Sequence, residues 1–232
     1  AAAKKALDDG FTHYGPAAGI PDLREAIAHH YTQTRGVPVA AENVVVVPGA
    51  KPILFYGILA AVNPGDEVIY PNPGFPIYES VINYLGGKAV PLPLQESKGF
   101  RFDLSDLADR ITDRTRMIIF NSPQNPTGGV LEPSDIKGIA DLVRGRPIWV
   151  LADEIYSDLV YEGTHHSILR EPGMQAQTIV LDGFSKTFAM TGWRLGAAIA
   201  PLPVAESIAK LNTNDESCTT HFVQAAGVAG IT

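Results

Sequence analysis

Short apolar runs alternate along the chain with longer stretches in which apolar positions recur every three or four residues. "NVVVVPG" (43–49) is β-branched, shows no polar alternation and ends on Pro48-Gly49, which predicts a strand buried on both faces. "ILFYGILAAV" follows as a helix stopped by "NPGD". "EVIYPNPG" predicts a second strand, and "FPIYESVINYLGG" a helix with a glycine stop. "KAVPLPL" is a short strand whose prolines put it at a sheet edge. "DLSDLADRI" reads as a helix with Asp103 as its N-cap. Strand "RMIIF", helix "SDIKGIADLVR" and strands "PIWVLAD", "TIVLDGF" and "WRLGAAIA" come next, and "PVAESIAKLN" starts a helix. The charges of Asp22, Arg24 and Glu25 fit an exposed helix face.

Strands buried on both faces and separated by helices predict an α/β fold with a mostly parallel sheet. Ligands of such sheets sit beyond the carboxyl ends of the strands, so the strand ends are where chemistry is sought. "VVVV" ends at Pro48-Gly49-Ala50-Lys51, "RMIIF" at "NSPQNP" and "PIWVLA" at Asp153-Glu154-Ile155-Tyr156. "TIVLD" runs into Gly183-Phe184-Ser185-Lys186. "AAAKKALDDG" reads as a helix ended by Gly10, and "FVQAAGVAGIT" stops in mid-pattern, so both ends read as cuts inside a longer protein.

Composition narrows the choice of partners. Of 232 residues, 45% are apolar and 19% charged, enough for a sizeable core. Eighteen basic against twenty-five acidic residues give −7, which argues against nucleic acid or an anionic membrane as the main partner. A single cysteine, Cys218, forms no internal disulfide, and the opening residues are no signal peptide; both point to the cytoplasm.

The strand ends hold no metal set: Cys218 is alone, and the pairs His29-His30 and His165-His166 lack ligand spacing. They hold neither a G-x-G-x-x-G loop nor a G-x-S-x-G elbow. What they offer is an amine, Lys186; an anion pocket; and a carboxylate, Asp153. Arg194 can grip a phosphate with a bidentate fork, and the amides of Ala50 and Lys51, where a helix opens at Gly49, form an anion site. The setting of Lys186 in "GFSKTFAMTGWRLG" reads as dry, which favours the neutral, nucleophilic amine. Asp153 can hold a ring nitrogen protonated, and Tyr156, three residues on, can reach the same ring. The trio suits an aldehyde cofactor with a phosphate and a ring nitrogen, pyridoxal 5'-phosphate.

With those residues in view, the chain resembles the class I/II aminotransferases of the aspartate aminotransferase fold. Gly183 to Gly196 follows the family's signature around its Schiff-base lysine, here Lys186. "NSPQNPTG" (121–128) is similar to the family's asparagine loop, which implies that Asn125 contacts the cofactor 3′-oxygen across a cis Asn125-Pro126 bond. "DEIY" matches the aspartate on the pyridine nitrogen and the tyrosine on the 3′-oxygen, Asp153 and Tyr156. "PNPGFPIYE" implies that Phe75 stacks on the ring. "YGPAAGIPDLREAIA" implies that Tyr14 reaches the phosphate of a neighbouring subunit in a homodimer. The resemblance implies a three-layer α/β/α large domain with a mixed sheet, spanning residues 1–232. It implies an enzyme moving amino groups between amino acids and 2-oxoacids, with no metal. The family's N-terminal arm and small C-terminal domain, with the arginine for the substrate carboxylate, have no counterpart in the chain. The family's phosphate-binding serine three residues before the lysine is Gly183 here, with Ser185 as an imperfect substitute.

Two other functions use the same site: a carbon–sulfur β-lyase, and the cofactor-binding sensor domain of a transcription regulator. Each residue also has a plainer reading. Asp153 can cap a helix over "EIYSDLV", Lys51 can lend only its backbone amide, and Trp193 can pack between Lys186 and Arg194. His165, His166 and His221 read as structural or surface residues.

Overall fold

The computed structural model describes residues 1–232, and a seven-stranded sheet runs through it. The strands are β1 (Val44–Val47), β2 (Glu67–Asn72), β3 (Lys88–Pro93), β4 (Thr115–Asn121), β5 (Trp149–Asp153), β6 (Thr178–Gly183) and β7 (Gly196–Ile199). They pair in the order β1-β7-β6-β5-β4-β2-β3. From β3 to β6 neighbours are parallel, whereas β7 is antiparallel to both β6 and β1. The proline-bearing β3 lies at an edge, as its missing donors require.

The helices are α1 (Ala2–Asp8), α2 (Pro21–Arg35), α3 (Lys51–Ala61), α4 (Ile77–Tyr84), α5 (Leu104–Arg110), α6 (Pro133–Val143), α7 (Phe184–Thr187), α8 (Leu202–Asp215) and α9 (His221–Ile231). Successive strand side chains feed two separate cores. Val44, Val46, Ile118 and Phe120 pack with α2, α5, α6 and α9. Val45, Val47, Met117 and Ile119 pack with α3, α4 and α8. Helices on both faces make three layers and explain why the strands read as unbroken apolar runs. Each fully buried aliphatic side chain contributes about 1.5–3 kcal/mol, so the strands form a stiff floor under whatever their ends carry.

Strand direction decides what meets at the rim. Val47 of β1 and Gly183 of β6 both pair with Gly196, the first residue of β7. The carboxyl ends of β1, β4, β5 and β6 therefore share one edge with the amino end of β7. The reversal of β7 delivers Arg194, which precedes a strand, to the edge where the other strands finish.

Three expectations need correction: the Asp103 cap, the start of the last strand and the exposure of Arg24. Asp103 stands at the N-cap of α5 but makes no capping bond; its carboxylate is taken by Gln95 Nε2 (2.8 Å) and Lys98. "WRLGAAIA" is a strand only from Gly196, because Thr191–Trp193 form a 3-10 turn and Arg194 is left-handed (φ 53°). Arg24 is half-buried, and its Nε donates to the Val44 carbonyl at 2.9 Å, tying α2 to β1. The closing stretch folds into α9, which packs on α1 and α2. No helix is long and apolar enough to cross a membrane.

Candidate active site

A cleft of about 260 Å³ opens at the shared edge. Lys186, Asp153, Tyr156, Asn125, Phe75, Ala50, Lys51, Ser185 and Arg194 all line it. Nine of the eleven residues singled out from the sequence therefore converge. Gly49 lies just outside the lining, under Arg194. Tyr14 is apart: it is 85% exposed and borders a different hollow, with Phe11, His13, Cys218 and His221.

Lys186 sits on α7, the single helical turn that follows β6. Its Nζ lies 5.5 Å from the centroid of the Tyr156 ring. The surroundings are wetter than the sequence implied. Lys186 is half-buried, and Thr191, Gly192, Trp193 and Arg194 are exposed. Trp193 is 41% exposed and lines no part of the cleft, so it is not a spacer between lysine and arginine.

Asp153 closes β5 and is buried. Its Oδ2 accepts a hydrogen bond from Tyr78 Oη (2.6 Å) and its Oδ1 one from the Ile155 N–H (3.3 Å). Burial pushes the carboxyl up to about 6, against the lowering effect of Tyr78. Tyr78 is itself fully buried, and its hydroxyl is pushed well above the usual tyrosine value by burial and then by the Asp153 charge. Residues 155–158 form turns and no helix follows β5 there, so Asp153 caps no helix.

The asparagine loop is anchored from the neighbouring strand. Asn121, at the end of β4, donates Nδ2 to the Asp153 carbonyl (2.9 Å) and accepts the Asn125 N–H at Oδ1 (2.7 Å). One side chain thus couples the Asp153 backbone to Asn125. The Asn125-Pro126 bond is cis, as are Asn72-Pro73 and Ser122-Pro123.

The anion pocket is built on glycine. The Gly49 backbone adopts φ 90°, and a Cβ there would lie 2.2 Å from Arg194 Nη2, so the guanidinium occupies the space a side chain would fill. Arg194 Nη1 donates to the Thr191 carbonyl (2.9 Å), which fixes the fork across the start of α3. Gly196 presses on the same loop, its missing Cβ 2.6 Å from the Ala50 nitrogen. No side chain caps α3, and the Ala50 and Lys51 N–H groups donate to no carbonyl. Uncapped donors beside a guanidinium suit a phosphate. Lys51 does more than lend its amide: its Nζ lies 5.3 Å from the Phe75 ring centroid, and Phe75 meets Tyr78 edge-on at 6.0 Å. Cationic fork, buried carboxylate and half-buried amine fit the three functional groups of pyridoxal 5'-phosphate.

The sequence reading missed Tyr78, Asn121 and Thr191, all of which line the cleft. In the sequence Asn121 reads only as a strand end. No histidine lines the cleft: His165 Nε2 lies 3.0 Å from buried Glu154, and the His221 ring centroid lies 4.6 Å from that of Phe11.

Known proteins carry the same arrangement of elements. The aromatic aminotransferase of Pyrococcus horikoshii superposes with a TM-score of 0.96 at 40% identity, over 99% of this chain and 62% of that one. The Thermus thermophilus aspartate aminotransferase with maleate gives 0.96 at 36% identity, over 100% and 60%. The fold is therefore that of the type I aminotransferases. In sequence, the aspartate aminotransferase of Sulfolobus acidocaldarius is 42% identical over 229 residues, 98% of this chain and 57% of that one. The family model described as "Aminotransferase class I and II" matches residues 1–231, and the chain belongs to that family. It spans under two thirds of the length of these relatives.

Proposed function

We propose that the protein transfers amino groups between an amino acid and a 2-oxoacid, with pyridoxal 5'-phosphate held in the cleft by the large domain formed by residues 1–232. The carrying observation is the convergence of Lys186, buried Asp153 and the Arg194–α3 anion pocket on one cleft, in a chain 42% identical to an aspartate aminotransferase. When bound, the cofactor supplies an aldehyde that takes up amines and a ring that accepts the electron pair left at the amino acid Cα.

The chain's own residues divide the rest of the work. Arg194, the Ala50 and Lys51 amides and Ser185 hold the phosphate, with Gly49 leaving room for the fork. Asp153 would pair with the ring nitrogen and keep it protonated; being buried, the pair is little screened by solvent ions. Tyr78 keeps the carboxylate oriented. Asn125 and Tyr156 bind the 3′-oxygen, and Phe75 covers a ring face. Lys186 Nζ would anchor the cofactor and, as a free amine, would take up and return the substrate Cα proton as base and then acid. Release of one oxoacid before the next binds gives ping-pong kinetics. Tyr14, exposed in the single chain, reaches the phosphate site of a second copy in a homodimer.

No observation favours the lyase or the sensor reading. The test is a panel of amino acids and 2-oxoacids on the full-length protein, beginning with aspartate and aromatic donors. Transamination gives parallel double-reciprocal lines and one oxoacid formed per oxoacid consumed. Thiol and pyruvate release from cysteine conjugates without an acceptor oxoacid contradicts the reading.

A further inference from the structure

A buried polar chain lies behind the cleft, and none of its charged members lines it. Glu154, next to Asp153, has no exposed surface. Its Oε2 accepts from Arg35 Nε (3.1 Å) and lies 3.0 Å from His165 Nε2; its Oε1 accepts from Ser167 Oγ (2.6 Å). Arg35, at the end of α2, is buried and also donates Nη2 to Ser157 Oγ (2.7 Å). The guanidinium lies 4.9 Å from the centroid of Tyr31, whose hydroxyl donates to Asp182 Oδ2 (2.5 Å). Asp182 Oδ1 in turn accepts the Gly183 N–H (2.7 Å). The series runs without a gap from the turn after β5, which bears Asp153 and Tyr156, to the end of β6, which leads into Lys186.

Such a network is a poor device for stability alone. Removing two charges from water offsets most of what their attraction returns, and apolar replacements of similar volume are often neutral or better. The segments it joins are short, the turns of residues 155–158 and the single-turn helix α7, and their direct links are the Glu154 N–H to the Leu181 carbonyl (2.9 Å) and Thr187 Oγ1 to Asp158 Oδ2 (3.2 Å). Reacting groups displaced by about 1 Å lose about a hundredfold in rate.

We propose that Arg35 and Glu154, with His165 beside them, are positioning residues that hold the Asp153–Tyr156 turn in place against the strand end bearing Lys186. The inference rests on the reading of the site given under Proposed function. Glu154→Gln keeps the shape and an acceptor for Arg35 but removes the charge. The double variant Arg35→Met with Glu154→Leu replaces the pair by apolar side chains of similar size.

The experiment uses the full-length protein and three readouts: kcat and KM of the loaded enzyme, thermal unfolding of the apo form, and the rate at which apo protein captures pyridoxal 5'-phosphate on Lys186. Capture is stopped with borohydride and quantified by peptide mass. In variants that unfold within a few degrees of the parent, kcat falls about tenfold or more with KM changed less than about threefold, and capture slows in parallel. A folded variant with parental kcat and capture rate overturns the proposal. So does failure of both variants to fold, which makes the network structural only. If the parent itself attaches no cofactor to Lys186, the reading of the site fails instead, and that outcome is visible before any variant is made.

Discussion

Asp153 and Tyr78 form a buried acid–hydroxyl pair whose effect is measurable as a pH dependence. The carboxyl titrates near 6 because burial raises it while the Tyr78 hydrogen bond pulls it down. Tyr78→Phe removes that lowering contribution, so the carboxyl titrates higher and is ionised over a narrower range. The acid limb of the kcat–pH profile should move upward, and kcat above the limb should fall about ten- to hundredfold, the value of one hydrogen bond to a charged group. An unchanged limb would make Tyr78 a packing residue. Asp153 was legible in the sequence because residue type, strand end and a tyrosine three positions on coincide. Tyr78 was not, because its partner is 75 positions away and reaches it only through the packing of α4 against the sheet.

Among the elements, the junction of β1 with α3 makes the sharpest demand on sequence. Gly49→Ala introduces a Cβ into the space of the Arg194 guanidinium, at a φ that disfavours any side chain. The backbone term costs about 1–3 kcal/mol. Gly36, at the end of α2, has φ 67° and no atom within 4 Å of its missing Cβ, so Gly36→Ala carries the strain without the collision. Both variants should lower the melting temperature, but only Gly49→Ala should also weaken cofactor retention in dialysis, about tenfold or more. Equal retention in the two would mean that Arg194 takes no part in holding the phosphate. All seven strands could be read ahead of the structure, the inner ones because both-face burial leaves unbroken apolar runs, and β3, largely exposed, from its edge prolines. The start of β7 could not: Trp193-Arg194 run on into an apolar strand pattern yet are exposed, and their turn is set by the approach of Arg194 to the Gly49 loop. The Asp103 cap failed for a related reason, because Gln95 and Lys98 compete for its carboxylate.

The molecule as a whole carries a titration that opposes folding. Burial pushes the Asp182 carboxyl up to about 7, against the pull of Tyr31 and Arg35, whereas its usual value is 3.8. The folded-state value lies above the unfolded one, so folding favours the neutral acid. Its contribution is complete below about pH 4 and is lost as pH rises through 7. Asp182→Asn should therefore flatten the fall in melting temperature of the apo protein between pH 5 and pH 8, whatever constant offset it brings. A slope identical to the parent's would mean that Asp182 titrates like an exposed acid. At this scale the layered fold followed from patterning, while the proposed pairing of two chains, where Tyr14 would act, lies beyond what one chain's periodicity encodes. The central claim is that the amine of Lys186 is the cofactor anchor. Its most direct measurement is borohydride reduction of the full-length protein loaded with pyridoxal 5'-phosphate, followed by peptide mass analysis. The account predicts one phosphopyridoxyl group per chain, on Lys186, and none in Lys186→Ala; a label on another lysine such as Lys51, or no label at all, would contradict it.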